Sequence, residues 1–129
     1  MTLRVVRLGT PRAPGEGPRL GTVRRPPRGV PKARFATENW YDAWVPELAP
    51  SEALVKQAQR AASDAQWRAF AKRYRKQMSA PGPARLLDLL ALLSRSTDFS
   101  VGCYCDDESR CHRSVLRELL SGHGAELAR

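Results

Sequence analysis

Residues 99–114 join an apolar run, a polar stretch and an amphipathic segment, and this order constrains the fold more than any other feature. Phe99 to Tyr104 has the composition of a short strand. From Cys111 onwards, apolar side chains recur at helical spacing. A strand that enters a helix through a short loop is typical of α/β proteins, which place ligands at the carboxyl ends of their strands. We therefore predict an α/β domain with its functional site at this loop.

Two further strands are predicted near the N-terminus. Residues 3–8 are mainly apolar, and residues 20–25 form a shorter candidate. Between them, residues 9–19 hold three prolines and three glycines, so we expect a flexible loop there. The prolines of residues 26–31 prevent the second strand from continuing.

Three helices are predicted between residues 51 and 94. Ser51 is a suitable N-cap for a helix that runs to about residue 62, and Ser63 with Gln66 has the spacing of a capping box. Residues 84–94 carry leucine on nearly every side, which predicts a deeply buried helix. The middle helix, residues 64–79, should bury one stripe: Trp67, Phe70, Ala71, Tyr74 and Met78.

The order of these elements predicts the fold class. A helix, a strand and a helix in succession favour a small, mostly parallel sheet flanked by helices. At 129 residues, the chain is long enough for one such core and short for two. We expect a Rossmann-like, layered single domain over residues 1–129.

The chain is strongly basic, with 22 Lys and Arg against 13 Asp and Glu and a formal charge of +9. Such a field attracts anions, so a small anionic ligand or a nucleic acid is the expected partner. No apolar run approaches the roughly 20 residues of a membrane span, and the N-terminus lacks the pattern of a signal peptide. Three clustered cysteines suit a reducing compartment, which indicates a cytoplasmic protein without disulfides.

Several short segments carry a family resemblance, in order along residues 3–120. They are Pro27-Arg28-Gly29, Asp42 and Trp44 ahead of Pro50-Ser51, Phe70 and Tyr74 one turn apart, and the strand that leads to Cys111-His112-Arg113. Together they resemble the YeaO-like family, a domain of unknown function numbered 488, in its Cys-His-Arg branch. The resemblance implies an α/β fold and no particular activity. The chain departs from the family at residues 23–26, where the family has Asp-Arg-Leu-Trp, and at Val55, where it has arginine.

Binding of a phosphate- or carboxylate-bearing ligand around Cys111, His112 and Arg113 is the favoured function. The first turn of a helix offers unpaired amides and a positive potential. The basic turn around Arg28 follows another predicted strand, so it should reach the same edge of the sheet. The predicted ligand-binding residues are Arg24, Arg28, Arg113 and Ser114.

Two alternatives remain open from the sequence. The first is a thiol-dependent enzyme with Cys111 as nucleophile and His112 as acid or base, because a helix start and nearby cations stabilise a thiolate. The second is a basic nucleic-acid-binding module, for which the arginine-rich segments would form one continuous face.

A metal site is the remaining hypothesis. Cys103, Cys105, Cys111 and His112 are the residue types of a tetrahedral zinc site. Strand residues two apart lie about 6–7 Å from each other, and adjacent helix residues point about 100° apart. On that geometry we predict no bound metal and no cofactor.

Overall fold

The computed structural model describes residues 2–128, in which four strands and four α-helices form one α/β domain. Within that range, no helix combines the length and the apolar character needed to cross a membrane. Short 3-10 turns lie at residues 32–34, 46–48 and 108–110. The elements in chain order are β1 (Leu3–Arg7), β2 (Arg19–Gly21), β3 (Ala43–Trp44), α1 (Glu52–Arg60), α2 (Asp64–Met78), α3 (Pro81–Leu93), β4 (Phe99–Cys103) and α4 (His112–Gly122).

All four strands run parallel, in the spatial order β1-β4-β2-β3. The last strand in sequence, β4, is therefore central, and all five of its residues are buried. Its register with β1 pairs Leu3 with Phe99 and Arg7 with Cys103. The predicted fold class, a small parallel sheet with helices, is confirmed.

All four helices contribute to one apolar core against the sheet. Phe70 and Tyr74 of α2 are fully buried in the same cluster as Val101 of β4 and Leu116 of α4. The Tyr74 hydroxyl donates a hydrogen bond to the carbonyl of Leu48 at 2.6 Å, which satisfies its polar atom inside the core. The predicted buried stripe on α2 is confirmed at Phe70 and Tyr74.

Local signals place the helix starts of α1 and α2 where the sequence predicts them. The Ser51 side chain accepts from the amide of Leu54, and Ser63 and Gln66 form the reciprocal hydrogen bonds of a capping box. Trp67, at the edge of the α2 stripe, is only partly buried.

The third helix differs from the prediction in two ways. It begins at Pro81, three residues early, because proline fits the first helical turn, where no amide is needed. Its leucines are not all buried, since only one side of α3 packs against the core. The exposed ones are Leu89, Leu92 and Leu93, at 49%, 65% and 40% exposure.

The proline- and glycine-containing loop before β2 is anchored by a buried ion pair. Arg19 Nε lies 2.6 Å from Glu16 Oε2, and both side chains are at least 97% buried. Arg19 also donates to the carbonyls of Thr10 and Asn39, while Ser100 of β4 donates to Glu16. Burial alone would raise the pKa of Glu16, but its hydrogen bonds from Arg19, the Ala13 amide and Ser100 outweigh burial and lower it. Beginning at Arg19, β2 is shorter than the predicted 20–25 segment.

Truncation of Phe70 should measure the strength of the helix–sheet core. We expect Phe70→Ala to lower the free energy of unfolding by about 3–5 kcal/mol, because it leaves a cavity in a fully buried position. Arg68→Ala, on the exposed side of the same helix, should stay within about 0.5 kcal/mol of wild type. Urea denaturation checks both variants, and a loss below about 1 kcal/mol for Phe70→Ala would contradict this packing.

The buried ion pair should give stability a specific pH dependence. Glu16→Gln leaves Arg19 charged and buried, so we expect a loss of about 3–5 kcal/mol near neutral pH. Because the folded pKa of Glu16 lies below its ordinary value of 4.5, the pair contributes fully above that pH and less as pH falls through the folded pKa. The difference in free energy of unfolding between wild type and Glu16→Gln, measured by urea denaturation, should therefore become smaller as the pH falls. A gap that widens as pH falls would be inconsistent with this pair.

Candidate functional site

A cleft of about 1240 Å³ opens where β1, β4 and β2 end. Gly9 and Thr10 follow β1 along one side, and Arg24 follows β2 along the other. Cys103 and Cys105 lie at the end of the central strand between them. The carboxyl ends of parallel strands are where α/β folds bind ligands, so this cleft is the candidate site.

Positive charge dominates the lining of the cleft. Among residues 2–128, five cationic side chains and one carboxylate, that of Glu52, line the cleft. Arg25 forms an ion pair with Glu52, and Arg7 forms one with Asp106. The other three cations are Arg24, Arg28 and Lys56.

The guanidinium of Arg24 is hydrogen-bonded to backbone carbonyls of the protein. Its Nε donates to the carbonyl of Pro50 at 3.0 Å, and its Nη2 donates to those of Pro46 and Ala49 at 3.1 and 3.0 Å. These contacts join the chain after β2 to the segment that leads into α1. Three carbonyl partners give Arg24 a role in shaping the wall of the cleft.

Arg28 and Lys56 are the uncommitted cations of the cleft. Both side chains are exposed, and neither has an acidic partner or a side-chain hydrogen bond within residues 2–128. Arg28 lies in the proline-bounded turn after β2, and Lys56 lies on α1. Lys56 is not among the residues predicted from the sequence, although the sequence contains a signal for it. Every third or fourth residue of α1 from Glu52 onward faces the cleft, in the series Glu52, Val55, Lys56 and Gln59.

His112 begins α4 and lines the cleft. Its Nε2 lies 2.7 Å from the carbonyl of Thr22, and a carbonyl only accepts, so Nε2 carries the proton. The ring packs edge-on against Tyr74, with the ring centroids 5.6 Å apart. Burial lowers the pKa of His112 to about 4, so the imidazole is neutral near pH 7 with an unprotonated Nδ1.

The three cysteines lie close together at the end of β4: Cys103 and Cys105 line the cleft, and Cys111 is buried beside them. Cys103 and Cys111 are buried, whereas Cys105 is exposed. Hydrogen bonds with the other two thiols, together with burial, raise the pKa of Cys103. The hydrogen bonds that Cys105 receives from Cys103 and Cys111 lower its pKa.

Cys111, the predicted nucleophile, is 2% exposed and does not line the cleft. Its hydrogen bond with Cys103 lowers its pKa, but the contact with Cys105 and burial outweigh that effect and raise the pKa of Cys111. Its backbone is extended, with φ −123° and ψ 150°, so it precedes the helix as N-cap. The last strand ends at Cys103 and the last helix starts at His112, each one residue from the limits that the sequence suggests.

Arg113 and Ser114 lie behind the cleft surface. Arg113 is buried and donates from Nη2 to the carbonyl of Cys105 at 2.6 Å, which holds the loop after β4. The Ser114 hydroxyl donates to the carbonyl of Cys111 at 3.0 Å. Of the predicted site residues, Arg24, Arg28 and His112 line one cleft, whereas Cys111, Arg113 and Ser114 do not.

The fold and this site define a parallel α/β protein with a basic, cysteine-containing cleft at its strand ends. The chain matches the model of the DUF488-N3a family, described as the active DUF488-N3 subclade, over residues 3–124. It therefore belongs to that family, which confirms the DUF488/YeaO-like assignment made from the sequence. No curated protein and no solved structure matches the chain.

Two arginines of the same segment should differ in their effect on stability. Arg24→Lys removes a planar group that serves three carbonyls, and hydrogen bonds from charged groups each contribute about 1.5–3 kcal/mol. We expect Arg24→Lys to lower the free energy of unfolding by at least about 1.5 kcal/mol, and Arg28→Lys to stay within about 0.5 kcal/mol of wild type. Equal effects in urea denaturation would contradict the structural role of Arg24.

Proposed function

We propose that the protein binds a small anionic ligand, carrying phosphate or carboxylate, in the cleft at the ends of β1, β4 and β2. The observation that carries this proposal is the pair of uncommitted cations, Arg28 and Lys56, which come from different elements and line the same cleft. In the part of the chain that the structure describes, one carboxylate lines the cleft, that of Glu52, and it is already paired with Arg25. An anion between Arg28 and Lys56 would meet two cations without displacing an internal ion pair.

The form of the two cations suits such a ligand. Arg28 presents a planar guanidinium that can donate two parallel hydrogen bonds to one oxyanion, and Lys56 adds a mobile point charge. Arg28 sits next to Gly29, whose φ of +76° turns the chain sharply after the proline pair. This turn leaves the Arg28 side chain on the exposed lip of the cleft.

The size of the cleft favours a ligand larger than a free phosphate. Its volume of about 1240 Å³ lies slightly above the roughly 300–1,000 Å³ of common small-molecule sites. Trp40 and Tyr104 pack edge to face at the cleft, with ring centroids 5.8 Å apart, and they add an apolar wall. The proposed ligand is thus a phosphorylated or carboxylated molecule with an apolar or aromatic part. The family description as an active subclade agrees with a working site and specifies no ligand.

Pyrophosphate is a suitable first probe, with binding measured by isothermal titration calorimetry at low ionic strength. We expect Arg28→Ala and Lys56→Ala each to weaken binding by about 10-fold or more, since a charge-assisted hydrogen bond contributes about 1.5–3 kcal/mol. Arg85→Ala is the matched control, because Arg85 is exposed on α3 and does not line the cleft. An equal loss of pyrophosphate affinity in Arg85→Ala would mean that binding depends only on the net charge of +9.

A short single-stranded oligonucleotide separates the nucleic-acid alternative from a small ligand. The affinity of a nucleic-acid-binding module falls steeply with salt, with a slope that reflects several released counterions. We expect the oligonucleotide to bind no more tightly than pyrophosphate and to lose most binding at physiological salt. Tight oligonucleotide binding with a steep salt slope, weakened equally by Arg85→Ala, would overturn the small-ligand proposal.

A further inference from the structure

Three metal-ligating side chains converge below the cleft. The ligand atoms of Cys103, Cys111 and His112 all lie within 4.8 Å of one another. The Sγ atom of Cys111 is 3.8 Å from Nδ1 of His112. Sulfur and nitrogen donors at such separations can surround one ion, because Zn²⁺ binds thiolates at about 2.3 Å and imidazole at about 2.0–2.1 Å.

The strand spacing and helix rotation that argue against a metal site apply inside regular elements, and Cys103, Cys111 and His112 lie at the ends of elements. Cys111 and His112 are adjacent, but Cys111 is the N-cap and has an extended backbone, and only His112 is helical. The rotation of about 100° between neighbouring side chains of a helix therefore does not apply to this pair. Cys103 is the last residue of β4, and Cys111 returns to it after the loop of residues 104–110. The three ligands thus come from a strand end, a cap and a helix start.

The tautomer and the hydrogen bond of His112 suit metal coordination. Because Nε2 donates its proton to the Thr22 carbonyl at 2.7 Å, the lone pair is on Nδ1, on the side of Cys111. Thr22 is itself fixed by hydrogen bonds from its amide and hydroxyl to the carbonyl of Gly102. A metal-bound histidine commonly donates its other ring N–H to a carboxylate, a backbone carbonyl or water, and the Thr22 carbonyl is such a partner.

The charge balance also favours an ion at this place. Two thiolates neutralise one divalent cation, so the occupied site carries no net charge in a largely buried position. Arg113 is 4% exposed and packs at the same loop, and its Nε has no hydrogen-bond partner within residues 2–128. A thiolate is a better acceptor for such a donor than a neutral thiol.

We propose that Cys103, Cys111 and His112 form a binding site for Zn²⁺, through both Sγ atoms and Nδ1. Because Cys103 and His112 line the cleft, the fourth coordination position would be reached from the cleft. Three protein ligands and one open position are the pattern of reactive zinc sites, whereas closed structural sites use four. This site lies beyond the proposed anion binding and does not depend on it, since Arg28 and Lys56 are not ligands.

The test uses the full chain, stripped with a chelator under reducing conditions and titrated with Zn²⁺ against a chromophoric chelator. We expect one Zn²⁺ per chain with a Kd below about 10 nM, and a higher Tm on binding. Co²⁺ in place of Zn²⁺ should give thiolate-to-metal charge-transfer bands and the intense visible bands of a tetrahedral site.

Matched variants identify the ligands. His112→Gln, Cys103→Ser and Cys111→Ser should each lose stoichiometric zinc, whereas His123→Gln should retain it. Cys105→Ser should also retain one zinc, because the three interior ligands remain. Retention of zinc in His112→Gln, or its loss in Cys105→Ser, would overturn the three-ligand site.

The zinc and cobalt measurements on the wild-type chain test the proposal even if a variant at a buried position fails to fold. A wild-type chain that binds no stoichiometric Zn²⁺, or a Co²⁺ complex without charge-transfer bands, would overturn the proposal. Pyrophosphate binding by the zinc-free chain would then still be measured separately, so failure of the zinc site is distinguishable from failure of the anion site.

Discussion

The ion pair between Arg19 and Glu16 orders the part of the domain that the helices do not cover. Arg19 is 1% exposed and begins β2, and its guanidinium reaches Glu16 and the carbonyls of Thr10, Pro11 and Asn39. An unpaired charge in such a position would be strongly unfavourable, so the loop must keep one conformation to supply these partners. The segment before β2 is therefore fixed by charge and hydrogen bonding instead of apolar packing.

This constraint carries over to the cleft. Thr10 lines the cleft and is bound to Arg19 through its carbonyl, so the rim beside β1 depends on the buried pair. The opposite rim depends on Arg24, which ties the chain after β2 to residues 46–50. Two arginines thus hold the walls, and the exposed Arg28 stays available in the opening. The sequence alone does not separate these three roles, because all three arginines lie in proline-rich surroundings of similar composition.

The sequence predicts best where a local rule decides the outcome. The capping box of Ser63 and Gln66, the spacing of Phe70 and Tyr74, and the start of α4 after Cys111 each depend on residues within a few positions of one another. The start of α3 at Pro81 and the exposure of Leu92 depend instead on which side of the helix meets the core. The same holds for the pairing of Glu16 with Arg19, since burial in a loop leaves no periodic pattern.

The cysteine cluster shows why spacing rules can mislead at the ends of elements. The distances of about 6–7 Å along a strand and the rotation of about 100° along a helix apply inside regular structure. Cys103 and Cys111 are the last residue of a strand and the cap of a helix, where the backbone leaves those geometries. β4 is the central strand, and Cys103 at its end lines the cleft together with Cys105. Cys103 and His112 line the cleft together with Arg24 and Arg28, whereas Cys111 is buried beside them. The rules for regular strands and helices do not predict this arrangement, because it forms where both elements end.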